Sequence, residues 1–185
     1  MNSSRHTFFG RLLRGAAIVL ALSGALSAQD WWARFGVQGS HVTPTGDFLL
    51  EQGFSTYVKP GFGIGIFWEV PATDNLYHVV ALQATDLGYA SDNAPVWSLS
   101  YDMQYYLQPS WQIGLYGLVG VSYMRANAFM HVIDRNGYPG EEYVNNFGLN
   151  LGVGHYFTRH IGAEAKCVFG TDSWSYMQFS AKLRF

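Results

Sequence analysis

The chain of 185 residues has a single cysteine, Cys167, so no intramolecular disulfide can brace it, even in an oxidising compartment. Charge is also scarce. Asp, Glu, Lys and Arg make up 13% of residues, against about 25% in an average soluble domain. Beyond residue 28 no continuous apolar run reaches about 20 residues, so no membrane-spanning helix is available there. His155 and His160 lack the company of a metal-ligand set, and no glycine-rich loop follows a strand and opens a helix. No metal and no cofactor is therefore expected.

What the chain does have is aromatic residues, at 17%, and 21 glycines. Residues 1–28 read as a secretory signal peptide. Arg5, Arg11 and Arg14 precede an apolar run from Gly15 to Leu22, and small residues lead to a cleavage site after Ala28. The alternative, a membrane anchor, is disfavoured because the run is too short. Residues 29–185 then form the mature domain. Removing 28 residues from 185 leaves 157, and three arginines fewer leaves eight basic residues against thirteen acidic, a formal charge of −5. That argues against a nucleic-acid partner.

The final stretch, Tyr176 to Phe185, alternates without a break. Met177, Phe179, Ala181, Leu183 and Phe185 fall on one face, and Gln178, Ser180, Lys182 and Arg184 on the other. Such alternation predicts a strand with one apolar and one polar side. Similar segments recur at even spacing: 31–42, 59–70, 76–90, 96–107, 111–124, 144–157 and 161–170. In the second, Phe62, Ile64, Ile66 and Trp68 alternate with Gly61, Gly63, Gly65, Phe67 and Glu69. The facing of 76–90 and 111–124 is not fixed by pattern, and a bulge in the former would fit. Glycine weakens a strand, so three on one face predict a narrow interior into which large residues of facing strands project. The connections at 71–75, 108–110 and 158–160 are tight. Those at 43–58 and 125–142 are long.

The expected fold is all-β: an eight-stranded antiparallel transmembrane up-and-down β-barrel, with short turns and both termini on the periplasmic side. Strands of about 10 residues suit a tilted crossing. Aromatics near strand ends predict two girdles. Trp32, Trp68, Tyr77, Tyr105, Trp111, Phe157 and Phe185 would form one; Tyr57, Tyr89, Trp97, Tyr123, Tyr143, Trp174 and Tyr176 the other. A secreted soluble barrel of lipocalin type is the competing architecture. It would carry apolar faces inward and charges outward.

The segments KPGFGIGIFWEV, SLSYDMQYYL, IGLYGLVGVSY, NNFGLNLGVGHYF and YMQFSAKLRF resemble the small outer-membrane β-barrel proteins with an OmpA/OmpX-like transmembrane domain, including the PorT-like group. The resemblance implies location in the outer membrane of a Gram-negative-type bacterium. Lipid and lipopolysaccharide would surround the barrel, and the insertion machinery would read Phe185 as an assembly signal. It implies no single activity, because the fold does not fix function. Full-length OmpA-type proteins carry a peptidoglycan-binding domain that does not appear within residues 29–185, so a wall-anchoring role is not expected.

Arg34, Glu69, Asp102, Glu164, Lys166, Lys182 and Arg184 all fall on expected inner faces. A lipid-facing Arg or Lys at mid-depth would cost about 2–4 kcal/mol, so this restriction to one face is informative. A plug of ion pairs is the expected reading, with Glu69 and Glu164 as paired carboxylates, and a small ion- or solute-conducting pore the alternative. An enzyme acting on lipid A would need a nucleophile, a histidine and a carboxylate together. His155 with Thr158, His131 with Asp134, and His78 are the candidates, none completing a triad. Asp134, Glu141 and Glu142 read as an acidic solvated loop rather than a Ca²⁺ site. The expected role is structural or surface-interacting, not enzymatic, with Phe48, Phe54 and Tyr138 in the long loops available for contact.

Overall fold

The computed structural model describes residues 34–45, 58–89, 92–108, 113–128, 142–171 and 175–185. The expected signal peptide lies outside them. So do Trp32, Phe48, Phe54, Tyr57, Trp111, His131, Asp134, Tyr138, Glu141 and Trp174. Eight strands follow in chain order: β1 (Arg34–Pro44), β2 (Val58–Pro71), β3 (Leu76–Tyr89), β4 (Asp92–Tyr106), β5 (Gly114–Ala128), β6 (Glu142–Tyr156), β7 (Ile161–Gly170) and β8 (Tyr176–Arg184). Each pairs antiparallel with its sequence neighbours, and β1 pairs with β8 to close the barrel.

Its faces are inverted relative to a soluble barrel. Glu69, Asp102, Lys166, Lys182 and Arg184 are buried, while Phe62, Phe147, Leu149 and Phe157 are more than 60% exposed. In water that distribution forfeits the apolar burial that drives folding. In a bilayer it is the expected one. The lipocalin-type architecture is thereby excluded.

The alternation of β1, β2, β4, β6, β7 and β8 faces as the pattern predicts. The two strands it leaves open resolve as Tyr77, Val79, Ala81 and Gln83 inward on β3, and Tyr116, Leu118, Ser122 and Met124 inward on β5. The bulge expected in 76–90 lies instead on β2, at its pairing with β3. Lys59 pairs with Gly88 and Phe62 with Asp86, so Pro60 and Gly61 together oppose Leu87. Proline, lacking an N–H, fits such an interruption. A side chain at Gly61 would strike the Asp86 carbonyl.

Two expectations about glycine and aromatics change. The inward glycines of β2 make room for β3: Gly63 and Gly65 lie under Gln83. Rings on neighbouring strands likewise demand Gly36, the register partner of Phe67, and Gly154, the register partner of Tyr116. Tyr77 and Tyr176 do not join the girdles, because strand parity turns both inward and they are buried. Trp68, Tyr105, Phe157 and Phe185 do lie exposed near the tight turns, with Trp97 nearer the opposite end.

Strand boundaries shift towards the long-loop end. β4 begins at Asp92 rather than Val96, and β5 continues to Ala128, into what reads as loop. β2 to β6 run 14–15 residues, whereas β1, β7 and β8 run 9–11. About 9–11 residues cross a bilayer at a tilt. The excess therefore stands as a wall on one side of the barrel mouth.

Candidate functional site

The inner face of the barrel gathers most of the predicted charges into three ion pairs. At the tight-turn end, Arg184 on β8 donates from Nη1 to Glu69 Oε2 on β2 at 2.9 Å. The Tyr156 hydroxyl donates to the other oxygen, Oε1, at 2.9 Å. Arg184 Nε donates to the Arg159 carbonyl at 2.8 Å, and its guanidinium stacks 3.9 Å from the Tyr156 ring centre. Arg184 therefore joins β2, β6, β8 and the β6–β7 turn. A planar fork of five donors suits it to several partners at once.

The second pair gathers three donors on one oxygen. Glu164 Oε2 on β7 accepts from Lys182 Nζ at 3.0 Å, the Tyr116 hydroxyl at 2.8 Å and Gln104 Nε2 at 3.3 Å. The Lys182 ammonium also lies 4.5 Å from the Phe67 ring centre. In the third, Lys166 Nζ lies 3.2 Å from Asp102 Oδ2, across the lumen from β7 to β4. Asn150 Nδ2 donates to Asp102 Oδ1 at 2.6 Å, and the Ser122 hydroxyl donates to Asn150 Oδ1 at 2.9 Å.

Arg34 stands apart from these pairs. It lies opposite Glu69 in the β1–β2 register and is only half-buried. The Glu69 carboxylate is already held by Arg184 and Tyr156. Phe185 follows β8 at the rim, and its N–H donates to the Phe35 carbonyl at 2.8 Å.

A neutral network fills the next region. Gln83 Oε1 accepts from Gln38 Nε2 at 2.8 Å, Ser40 Oγ at 3.0 Å and Gln178 Nε2 at 3.0 Å. Beyond it, towards the long-loop end, Val42, Leu87, Val96, Met124, Val168 and Tyr176 form a buried apolar cluster. A second, aromatic-rich cluster including Phe67, Tyr106, Tyr116 and Tyr156 surrounds the ion pairs nearer the tight turns. Tyr116 and Tyr156 are the functional-site residues the chain pattern leaves unmarked. Parity on β6 points Tyr156 inward, two residues beyond Gly154. Tyr116 carries no such signal because β5 has glycine on both faces.

Among the described residues, which do not include His131 and Asp134, the catalytic candidates do not assemble. The Thr158 hydroxyl accepts the backbone N–H groups of His160 and Ile161, a turn-stabilising role. His155 packs against Phe157 with ring centres 4.9 Å apart. His78 Nδ1 lies 2.6 Å from the Tyr101 hydroxyl on the outer face. Among the described residues, no group of three His, Cys, Asp or Glu side chains is placed to hold a metal ion.

No protein-family model matches the chain, and no curated protein matches it. Solved structures do match. The N-terminal β-barrel domain of OprF from Pseudomonas aeruginosa superposes with a TM-score of 0.53 at 16% identity, over 81% of this chain and 97% of that one. Ail, the attachment invasion locus protein of Yersinia pestis, gives 0.54 at 12% identity, over 85% and 100%. Neisserial surface protein A gives 0.54 at 15% identity, over 82% and 95%. Ail in complex with the heparin analogue sucrose octasulfate gives 0.55 at 11% identity, over 85% and 100%. At these identities the likeness is one of fold: this chain has the fold of the small eight-stranded outer-membrane barrels.

Proposed function

We propose that the protein is an outer-membrane barrel with a structural or surface-interaction role, its lumen closed by ion pairs rather than open for conduction. The filled lumen carries this reading. Three ion pairs, a glutamine-serine network and an apolar cluster occupy the bore between its two ends. In a barrel of eight strands the interior is just wide enough for side chains. The ion pairs serve the fold, since an unpaired charge in this bore would be costly. Residues 1–28 direct export and are removed, both termini face the periplasm, and Phe185 is the terminal residue that the insertion machinery reads. Outer-membrane lipid and lipopolysaccharide are its surroundings.

With the lumen filled, contact with partners falls to the long-loop end. There β6 begins at Glu142, yet β7 pairs with it only from Gly148, so, among the described residues, 142–145 have no strand partner on the β7 side. An unpaired edge is a template for an added strand. The heparin-analogue binding of Ail does not transfer to this chain. Residues 45–57 and 129–141 of this chain carry Asp47, Glu51, Asp134 and Glu141 against a single Arg135, which disfavours a polyanion. The test is conductance of the refolded barrel in a planar bilayer, with lipid A hydrolysis assayed alongside. Neither activity is expected. Steady conductance would replace this reading with the pore, and lipid turnover with the enzyme.

A further inference from the structure

The outward residues of β7 change size along the strand. Ile161 and Phe169 at its ends are large and exposed, while Ala163, Ala165 and Cys167 between them are small. Its neighbours stand higher except at Ala181 of β8, which lies beside Ala163 and widens the hollow. The register sets Val153 of β6 and Phe179 of β8 beside Ala165, and His155 of β6 beside Ala163. The result is a furrow of about 430 Å³ centred on the two alanines, on the face that meets lipid.

One end of this apolar furrow is basic. His155 forms its wall nearest the tight turns, and the β6–β7 turn on that side, past the exposed pair Phe157 and Ile161, carries Arg159 and His160, both exposed. A guanidinium has five donors, so Arg159 has capacity for a phosphate beside its other contacts. The β2–β3 turn carries Asp74 instead, so the basic character belongs to the furrow side of the rim. We propose that this furrow is a binding site for an anionic phospholipid of the adjoining leaflet, one acyl chain lying along Ala163 and Ala165 and the phosphate held by Arg159 and His155. A second copy of the barrel would bring apolar surface to the furrow but nothing to complement Arg159. A zwitterionic lipid brings its own ammonium, which competes for the phosphate.

The proposal rests on the barrel standing in a bilayer. The test uses the protein purified from membranes in detergent and mixed with equal amounts of phosphatidylglycerol and phosphatidylethanolamine of the same chains. Retained lipids are identified by native mass spectrometry. Phosphatidylglycerol should be retained in excess, and Arg159→Gln should cut that excess about five-fold, the worth of one basic residue at an anionic surface. Ala163→Phe should exclude both lipids while leaving the urea midpoint in place, and Ala165→Phe repeats the block should the first variant fail to fold. Equal retention of the two lipids by the wild type, or wild-type phosphatidylglycerol retention by the folded phenylalanine variants, would overturn the site. Failure of the bilayer reading looks different: the protein would yield no folded, heat-modifiable band in lipid.

Discussion

Replacing Glu164 with alanine removes the carboxylate that holds Lys182, Tyr116 and Gln104 together. Breaking a buried ion pair from one side typically costs about 3–5 kcal/mol, because the remaining charge is stranded. The Phe67 ring face, 4.5 Å from the ammonium, keeps Lys182 from being wholly bare, which puts the expected loss near the lower end. With an m-value of about 1–3 kcal/mol/M, a loss of about 3 kcal/mol lowers the urea midpoint by about 1–3 M. The assay is urea unfolding in lipid vesicles, followed by loss of the fast-migrating folded band. Ala163→Val, on the lipid side, should leave the midpoint within about 0.5 M, since a surface change costs about 0.5 kcal/mol or less. The partner assignment gives a sharper form of the experiment. Adding Lys182→Met to the Glu164→Ala protein should recover part of the loss. Adding Lys166→Met should deepen it, because Lys166 belongs to Asp102 and its removal strands a second carboxylate. Equal midpoints for Glu164→Ala and wild type would refute the plug, as would equal rescue by the two lysine changes.

Arg184→Met should lower the urea midpoint more than Arg34→Met, since only Arg184 is bonded to the buried Glu69 carboxylate. Gly120→Val should abolish the folded band, because its side chain would strike the Tyr101 carbonyl and the Asp102 carboxylate, whereas Gly39→Val faces open space and should fold normally. Protease added outside intact cells should cut only within residues 45–57 or 129–141, if it cuts at all. Cleavage at the 158–160 turn would reverse the orientation. Phe185→Asp should be exported yet fail to insert, and normal outer-membrane levels of a heat-resistant variant would discount the assembly signal.

The fold was legible wherever one face of a strand was apolar and the other polar, as on β6 and β8. It was illegible on β3 because the lumen is not uniformly polar: Val79 and Ala81 point inward while Val80 and Leu82 point outward, so both faces read alike. Of the seven charges, each face could be read from parity, but partners could not. Lys166 meets Asp102 from the far wall of the barrel, a neighbour that no local spacing reveals. Tyr77 and Tyr176 were misread because proximity to a strand end suggested interfacial depth, when parity alone decides whether a ring meets lipid or lumen.

The seam between β1 and β8 has a consequence for the order of folding. Ser40 and Ser180 share a hydrogen bond 2.9 Å long across it, although 140 positions separate them in the chain. Every other strand pairing joins sequence neighbours and can zip from its own connection. The seam alone demands that nearly the whole chain be brought round first, and loop closure of that length is entropically the slowest contact to make. Gln83 of β3 accepts from both Ser40 and Gln178, one on each side of that seam. Its amide therefore acts as a clasp from the interior, completed only on closure. A Gln83→Leu protein should form its hairpins at the usual rate and then linger as an open sheet, so that the defect appears in the slow phase of assembly.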